Sequence, residues 1–156
     1  MFGRRYRYLV LVVGLWFSCS TDSGKETQRS KTNKKREAAR KVKTDPGKIV
    51  YMQFCLSCHM ANGEGVPGLY PPLSQTKYVL GDKKWLIANV LLGQEGPIEV
   101  KGQPYNNIMT KLDFLRDKQV AEVLTYVRSN FGNDASAVTA DEVRYVRDSL
   151  EATNQL

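Results

Sequence analysis

Five consecutive residues, Cys55-Leu56-Ser57-Cys58-His59, constrain this chain more than any other feature. The sequence holds three cysteines and one histidine in 156 residues, and two of those cysteines and the histidine fall in this stretch. A redox dithiol needs C-x-x-C but expects an α/β frame, and no strand pattern surrounds these residues. A structural zinc site takes four Cys/His ligands. The region after residue 45 supplies only Cys55, Cys58 and His59, and chain neighbours do not easily close on one ion. A disulfide across two intervening residues leaves His59 without a role. C-x-x-C-H is, by contrast, the attachment signature of a c-type haem. Two thiols three positions apart near a helix start can each bond one vinyl group, and the adjacent imidazole then faces the iron as an axial ligand. The cluster predicts one covalently attached haem c, with Cys55 and Cys58 as thioether donors and His59 on the iron.

The sixth iron position needs a second ligand, and no histidine remains. Methionine thioether is the next candidate. Met1 belongs to the leader, and Met52 and Met60 flank the attachment motif, which ties them to the His59 side. Met109 lies in a Gly/Pro-rich loop before a long helix and can reach across, so elimination selects it. A core methionine, a lysine ligand such as Lys111, or an open site are the competing readings.

The basic charge of the chain is confined to its beginning. Residues 1–45 carry 12 Lys+Arg against 4 Asp+Glu, while residues 46–156 carry 11 against 12. The near-neutral remainder has no nucleic-acid footprint. Arg4, Arg5 and Arg7 precede the apolar run Leu9 to Phe17, which is too short for a comfortable span of about 20 residues. Ser18-Cys19-Ser20 follows and looks like the end of a bacterial lipoprotein signal, with residues 1–18 removed and Cys19 lipidated. An ordinary signal peptide or an uncleaved anchor is the alternative. Each of these readings places the protein outside the cytoplasm. Residues 19–45 hold the anchor cysteine and a basic, apolar-poor stretch that cannot bury enough surface to fold. They are expected to form a flexible tether.

Residues 46–134 read as one small helical domain and 135–156 as an extension with a terminal helix. Asp45-Pro46 caps and opens a first helix, GKIVYMQF. SQTKYVL is a short helix expected to start at Ser74. DKKWLIANVLL is a helix capped by Asp82 and stopped by Gly93. The segment after Gly93 predicts loop with a small hairpin. DKQVAEVLTYVRSNFG is the strongest helix, with Val120, Val123, Leu124 and Val127 on its apolar face. VTADEVRYVRDSL carries a capping box, Thr139-x-x-Glu142, and a staple pair, Val138 and Val143. The expected fold is all-α, with about five helices around the haem.

Together CLSCHMANGEGVPGLYPPL, LLGQEGPI, YNNIMTKL and DKQVAEVLTYVRSNFGN resemble the class I c-type cytochromes. The likeness is to small bacterial monohaem cytochromes, including cytochrome domains of copper nitrite reductases and those accompanying periplasmic dehydrogenases. It implies a cytochrome c-like fold with Cys55, Cys58, His59 and Met109 at the haem. It also implies that a proline carbonyl, Pro71 or Pro72, with Pro72 favoured, accepts a hydrogen bond from His59. Gly47 and Tyr51 would mark where the first helix crosses the last one, near Tyr126. The function expected is one-electron transfer between protein donors and acceptors at the periplasmic side of a bacterial membrane, without nucleic acid or a small-molecule substrate. A haem-based sensor with a labile methionine, or a fixed subunit of a larger oxidoreductase, are the other expectations. Phe54, Leu73, Trp85, Leu86, Val90 and Ile108 are candidate pocket residues. Asn106, Asn107, Tyr78, Tyr105 and Trp85 are candidates for bonding propionates or the methionine sulfur.

Overall fold

A computed structural model of the chain describes residues 45–156, so the leader, Cys19 and nearly all of the tether lie outside the described residues. Six helical segments and one hairpin follow in order: α1 Pro46–Phe54, α2 Leu56–His59, α3 Lys77–Leu80, α4 Lys83–Leu92, β1 Ile98–Val100, β2 Gln103–Tyr105, α5 Asp117–Ser129 and α6 Ala140–Ala152. This is one helix more than expected, because the attachment motif coils into a turn of its own. The hairpin is antiparallel, with Ile98 facing Tyr105 and Val100 facing Gln103.

Local signals account for most of the element starts. Asp45 accepts from Gly47 N at 2.9 Å and Lys48 N at 3.3 Å, which begins α1. Asp82 does the same for α4 through Lys84 N at 2.9 Å. The capping box of α6 closes both ways: Glu142 N donates to Thr139 Oγ1 at 3.2 Å and Thr139 N to Glu142 Oε2 at 2.8 Å. The short helix α3 starts later than expected. Its cap is Thr76, whose Oγ1 accepts from Val79 N, and not Ser74. Asn133 Oδ1 accepts from Gln75 N at 2.6 Å, and Asn133 Nδ2 donates to Leu73 O at 3.1 Å. Those long-range bonds hold residues 73–75 out of the helix.

The core is built where α5 meets the other helices. Val120, Val123, Leu124 and Val127 are all buried, as their spacing predicts. Helix α1 crosses α5 at Gly47, where a β-carbon would lie 2.8 Å from Tyr126 Cβ and closer still to Glu122 O. Only glycine lets the two backbones approach this far. Tyr51, Tyr126 and Phe131 pack around the crossing, with ring centroids 5.2 to 5.6 Å apart. Helix α6 joins the same core rather than trailing from it. Val143 is 0% exposed and Val146 is buried beside it, and each such side chain contributes about 1.5–3 kcal/mol. Arg128 is buried and pairs with no carboxylate among the described residues. Its guanidinium donates to Val79 O, Gly81 O and Ser136 O, linking the end of α3 to the segment before α6.

Candidate haem-binding site

The attachment motif sits where α1 gives way to α2. Cys55 N donates to Tyr51 O at 2.9 Å, and His59 N to Cys55 O at 2.9 Å, so the two cysteines and the histidine share one tight coil. Tyr51 OH donates to Met60 O at 2.6 Å and ties this coil to α1. The two thiols are free. Burial, and secondarily the neighbouring Cys58, push the Cys55 thiol up to about 11, so it is protonated at neutral pH and carries no charge to desolvate.

These residues line one cavity of about 270 Å³. Its walls come from several elements: Phe54 from α1, Leu73 from the loop after α2, Trp85, Leu86 and Val90 from α4, and Ile108 beyond the hairpin. All six pocket residues suggested by the sequence are therefore present. Tyr78, Tyr105 and Asn107 also line it, whereas Asn106 is not among the lining residues. Tyr78 and Trp85 pack ring on ring, with centroids 4.8 Å apart, and Tyr78 OH donates to Glu99 O. Ile108 is 67% exposed, and just outside, the exposed Phe114 meets Phe54 edge to face. The cavity thus carries an apolar fringe.

His59 Nδ1 lies 2.9 Å from the carbonyl oxygen of Pro71. A carbonyl can only accept, so Nδ1 bears the proton and Nε2 keeps its lone pair for a metal. Burial lowers the His59 pKa, against the smaller opposite effect of the Pro71 bond, which favours the neutral ligand form. The acceptor is Pro71 and not Pro72. The loop closes on itself through the Val66–Tyr70 bridge, and Leu73 N donates to Gly63 O at 2.7 Å. The residue before a proline is confined to extended backbone, so the carbonyls of Pro71 and Pro72 face different ways, and it is the Pro71 carbonyl that faces the ring.

Met109 lines the same cavity. It is pinned by a two-way backbone pair with Gln94: Gln94 N donates to Met109 O at 3.0 Å, and Met109 N to Gln94 O at 2.9 Å. Gly93 allows this approach. It has φ 77° and ψ −172°, and a β-carbon there would lie 2.9 Å from Lys111 N and nearer still to Met109 O. Asn89 Nδ2 donates to Met109 Sδ at 3.6 Å. The sequence reading missed Asn89; its place one helical turn before Gly93, on the pocket side of α4, is the available clue. The lone sulfur, the neutral imidazole, two free thiols and apolar walls in one cavity fit a covalently held haem. Among the described residues no three His, Cys, Asp or Glu side chains form a metal-binding group.

Known proteins agree with this chemistry. The cytochrome c family profile matches residues 44–131. Cytochrome c-552 of Thermus thermophilus is 39% identical over 111 residues, covering 65% of this chain and 83% of that protein. The fructose dehydrogenase cytochrome subunit of Gluconobacter japonicus is 33% identical over 74% of this chain, and the gluconate 2-dehydrogenase cytochrome c subunit of Pantoea cypripedii is 35% identical over 65% of it. The chain spans only 24% of each of those two subunits. By its profile match, its relatives and its pocket, the chain belongs to the cytochrome c family and is an electron-transfer protein with covalently attached haem c.

Proposed function

We propose that Cys55 and Cys58 carry the thioether bonds, that His59 and Met109 are the axial ligands, and that the protein passes single electrons between partner proteins at the periplasmic side of a bacterial membrane. The observation that carries the reading is the convergence of His59 and Met109 on one apolar cavity, each oriented by its own hydrogen bond. The bound haem supplies a one-electron ferrous–ferric couple. The chain's residues do the rest. Pro71 holds the imidazole in the right tautomer, Asn89 directs the sulfur, and the Gln94 pair fixes the loop that presents it. His59 and Met109 would both be used in holding the haem iron, which would leave no place on it for a substrate and argues against independent catalysis. The apolar walls disfavour the extra positive charge of the ferric state, and thioether ligation acts in the same direction.

Cys19 is proposed as a lipid anchor, with residues 20–45 as a basic tether. A tether of that length keeps the domain at high local concentration around membrane partners. The likeness to cytochrome subunits of fructose and gluconate 2-dehydrogenases favours a dehydrogenase as electron donor, and it also supports a second reading in which the chain is a fixed subunit of such a complex. Replacing Met109 with Ala tests the ligand set. The variant should retain covalent haem, lose the weak sulfur-to-ferric absorption band and bind carbon monoxide in the ferrous state. An unchanged ligand field would remove Met109 from the iron.

A further inference from the structure

From helix α6, Arg147 hydrogen-bonds the segment that follows Met109. Arg147 Nε donates to Asp117 Oδ1 at 2.8 Å, Nη1 to Asp113 O at 2.9 Å, and Nη2 to Leu115 O at 2.7 Å. All three acceptors lie on the segment between Met109 and the first turn of α5. The side chain is 17% exposed, so these bonds are only partly open to water and salt. The guanidinium fork suits this task, because its three nitrogens meet three acceptors in fixed directions, as an ammonium group cannot. Upstream, the same segment is held by the Met109 pair with Gln94, two residues past the end of α4, and by Leu112 N donating to Val90 O of α4 at 3.0 Å. The Met109 loop is therefore clamped at both ends, by α4 before it and by α6 after it.

We propose that Arg147 is a positioning residue for Met109: it holds residues 113–117 closed against α6 and so opposes departure of the sulfur from the iron. This rests on the reading of Met109 as distal ligand. Carrying the sulfur out of the pocket by opening of the loop moves the following segment, and that movement breaks the Arg147 bonds. The neighbouring Arg144 does no such work, since it is exposed and, among the described residues, pairs only with Asp141 on its own helix.

The test is imidazole binding to the ferric holoprotein, because imidazole reaches the iron only when the sulfur leaves. In Arg147→Met imidazole should bind about tenfold more tightly or better than in wild type, since hydrogen bonds to a charged donor oppose opening only while the guanidinium is present. Arg147→Lys should show a smaller gain of the same sign, and it serves if the Met variant does not fold. Arg144→Met should bind as wild type does. In the Met109→Ala background the Arg147 substitution should have no further effect. Wild-type affinity in both Arg147 variants, or an equal gain with Met109 already removed, would overturn the proposal. If Met109→Ala itself leaves the spectrum and the imidazole affinity unchanged, the ligand reading fails instead, and the two failures are told apart.

Discussion

Gly93→Ala puts a number on how closely the ligand loop is packed. Gly93 adopts φ 77° and ψ −172°, a region that is essentially glycine-only. Holding alanine there costs about 1–3 kcal/mol. The added methyl also meets Met109 O and, at 2.9 Å, Lys111 N, both backbone atoms of the segment paired with Gln94. Neither can rotate away as a side chain would, so the loop must shift, for a further ~1–3 kcal/mol. The sum is about 2–6 kcal/mol, a large part of the stability of a small domain. Gly68→Ala is the control: its φ is also positive, at 74°, but nothing lies within 4 Å of a β-carbon there. Urea unfolding of the holoprotein, followed by far-UV circular dichroism, should place Gly93→Ala about 1–3 kcal/mol below Gly68→Ala, the share of the backbone clash that the control lacks, with unchanged m. The sulfur-to-ferric band should weaken in the first variant alone. Equal losses in the two variants, with the band intact, would refute the argument that the loop is locked against Gly93.

Asn89→Leu removes the donor to Met109 Sδ and leaves the sulfur a better donor to ferric iron. The midpoint potential should fall, by up to about 40 mV if a hydrogen bond worth ~1 kcal/mol is felt by one oxidation state only; potentiometric titration measures it. Lys83 and the Thr139 amide hold the Glu142 carboxyl below its usual range. Its contribution is therefore complete above the unfolded value and is lost as pH falls through the lower folded one. Thermal unfolding of wild type and Glu142→Gln should differ near about pH 6 and converge toward about pH 3. Cys19→Ala should move the protein from the membrane to the soluble fraction in cell fractionation; an unchanged distribution would remove the lipid anchor.

The features read correctly from sequence are those written in contiguous residues. The haem c cofactor is one, announced by C-x-x-C-H within five residues, because covalent attachment calls for thiols and an imidazole on one short coil. Asp45-Pro46, Asp82 and the Thr139/Glu142 box are others, since a helix cap acts within three residues of itself. The apolar face of α5 follows from periodicity alone. What stayed hidden depends on partners far along the chain. Asn133 reaches back to Leu73 and Gln75 and displaces the expected start of α3 from Ser74 to Thr76. The choice of Pro71 over Pro72 turns on how the loop after Gly63 closes, which no dipeptide specifies. Asn89, Arg128 and Arg147 look like ordinary polar helix residues until tertiary packing brings Met109, Val79 and Asp113 to them.

The decisive observation is the visible spectrum of the purified holoprotein, oxidised and reduced, with and without carbon monoxide. Ligation by His59 and Met109 requires a sharp low-spin reduced spectrum, a weak sulfur-to-ferric band in the oxidised protein, and no response to carbon monoxide. A prompt spectral shift on adding carbon monoxide to the wild-type protein would mean that the sixth position is open or weakly held, and an electron-transfer role built on Met109 would give way to ligand sensing.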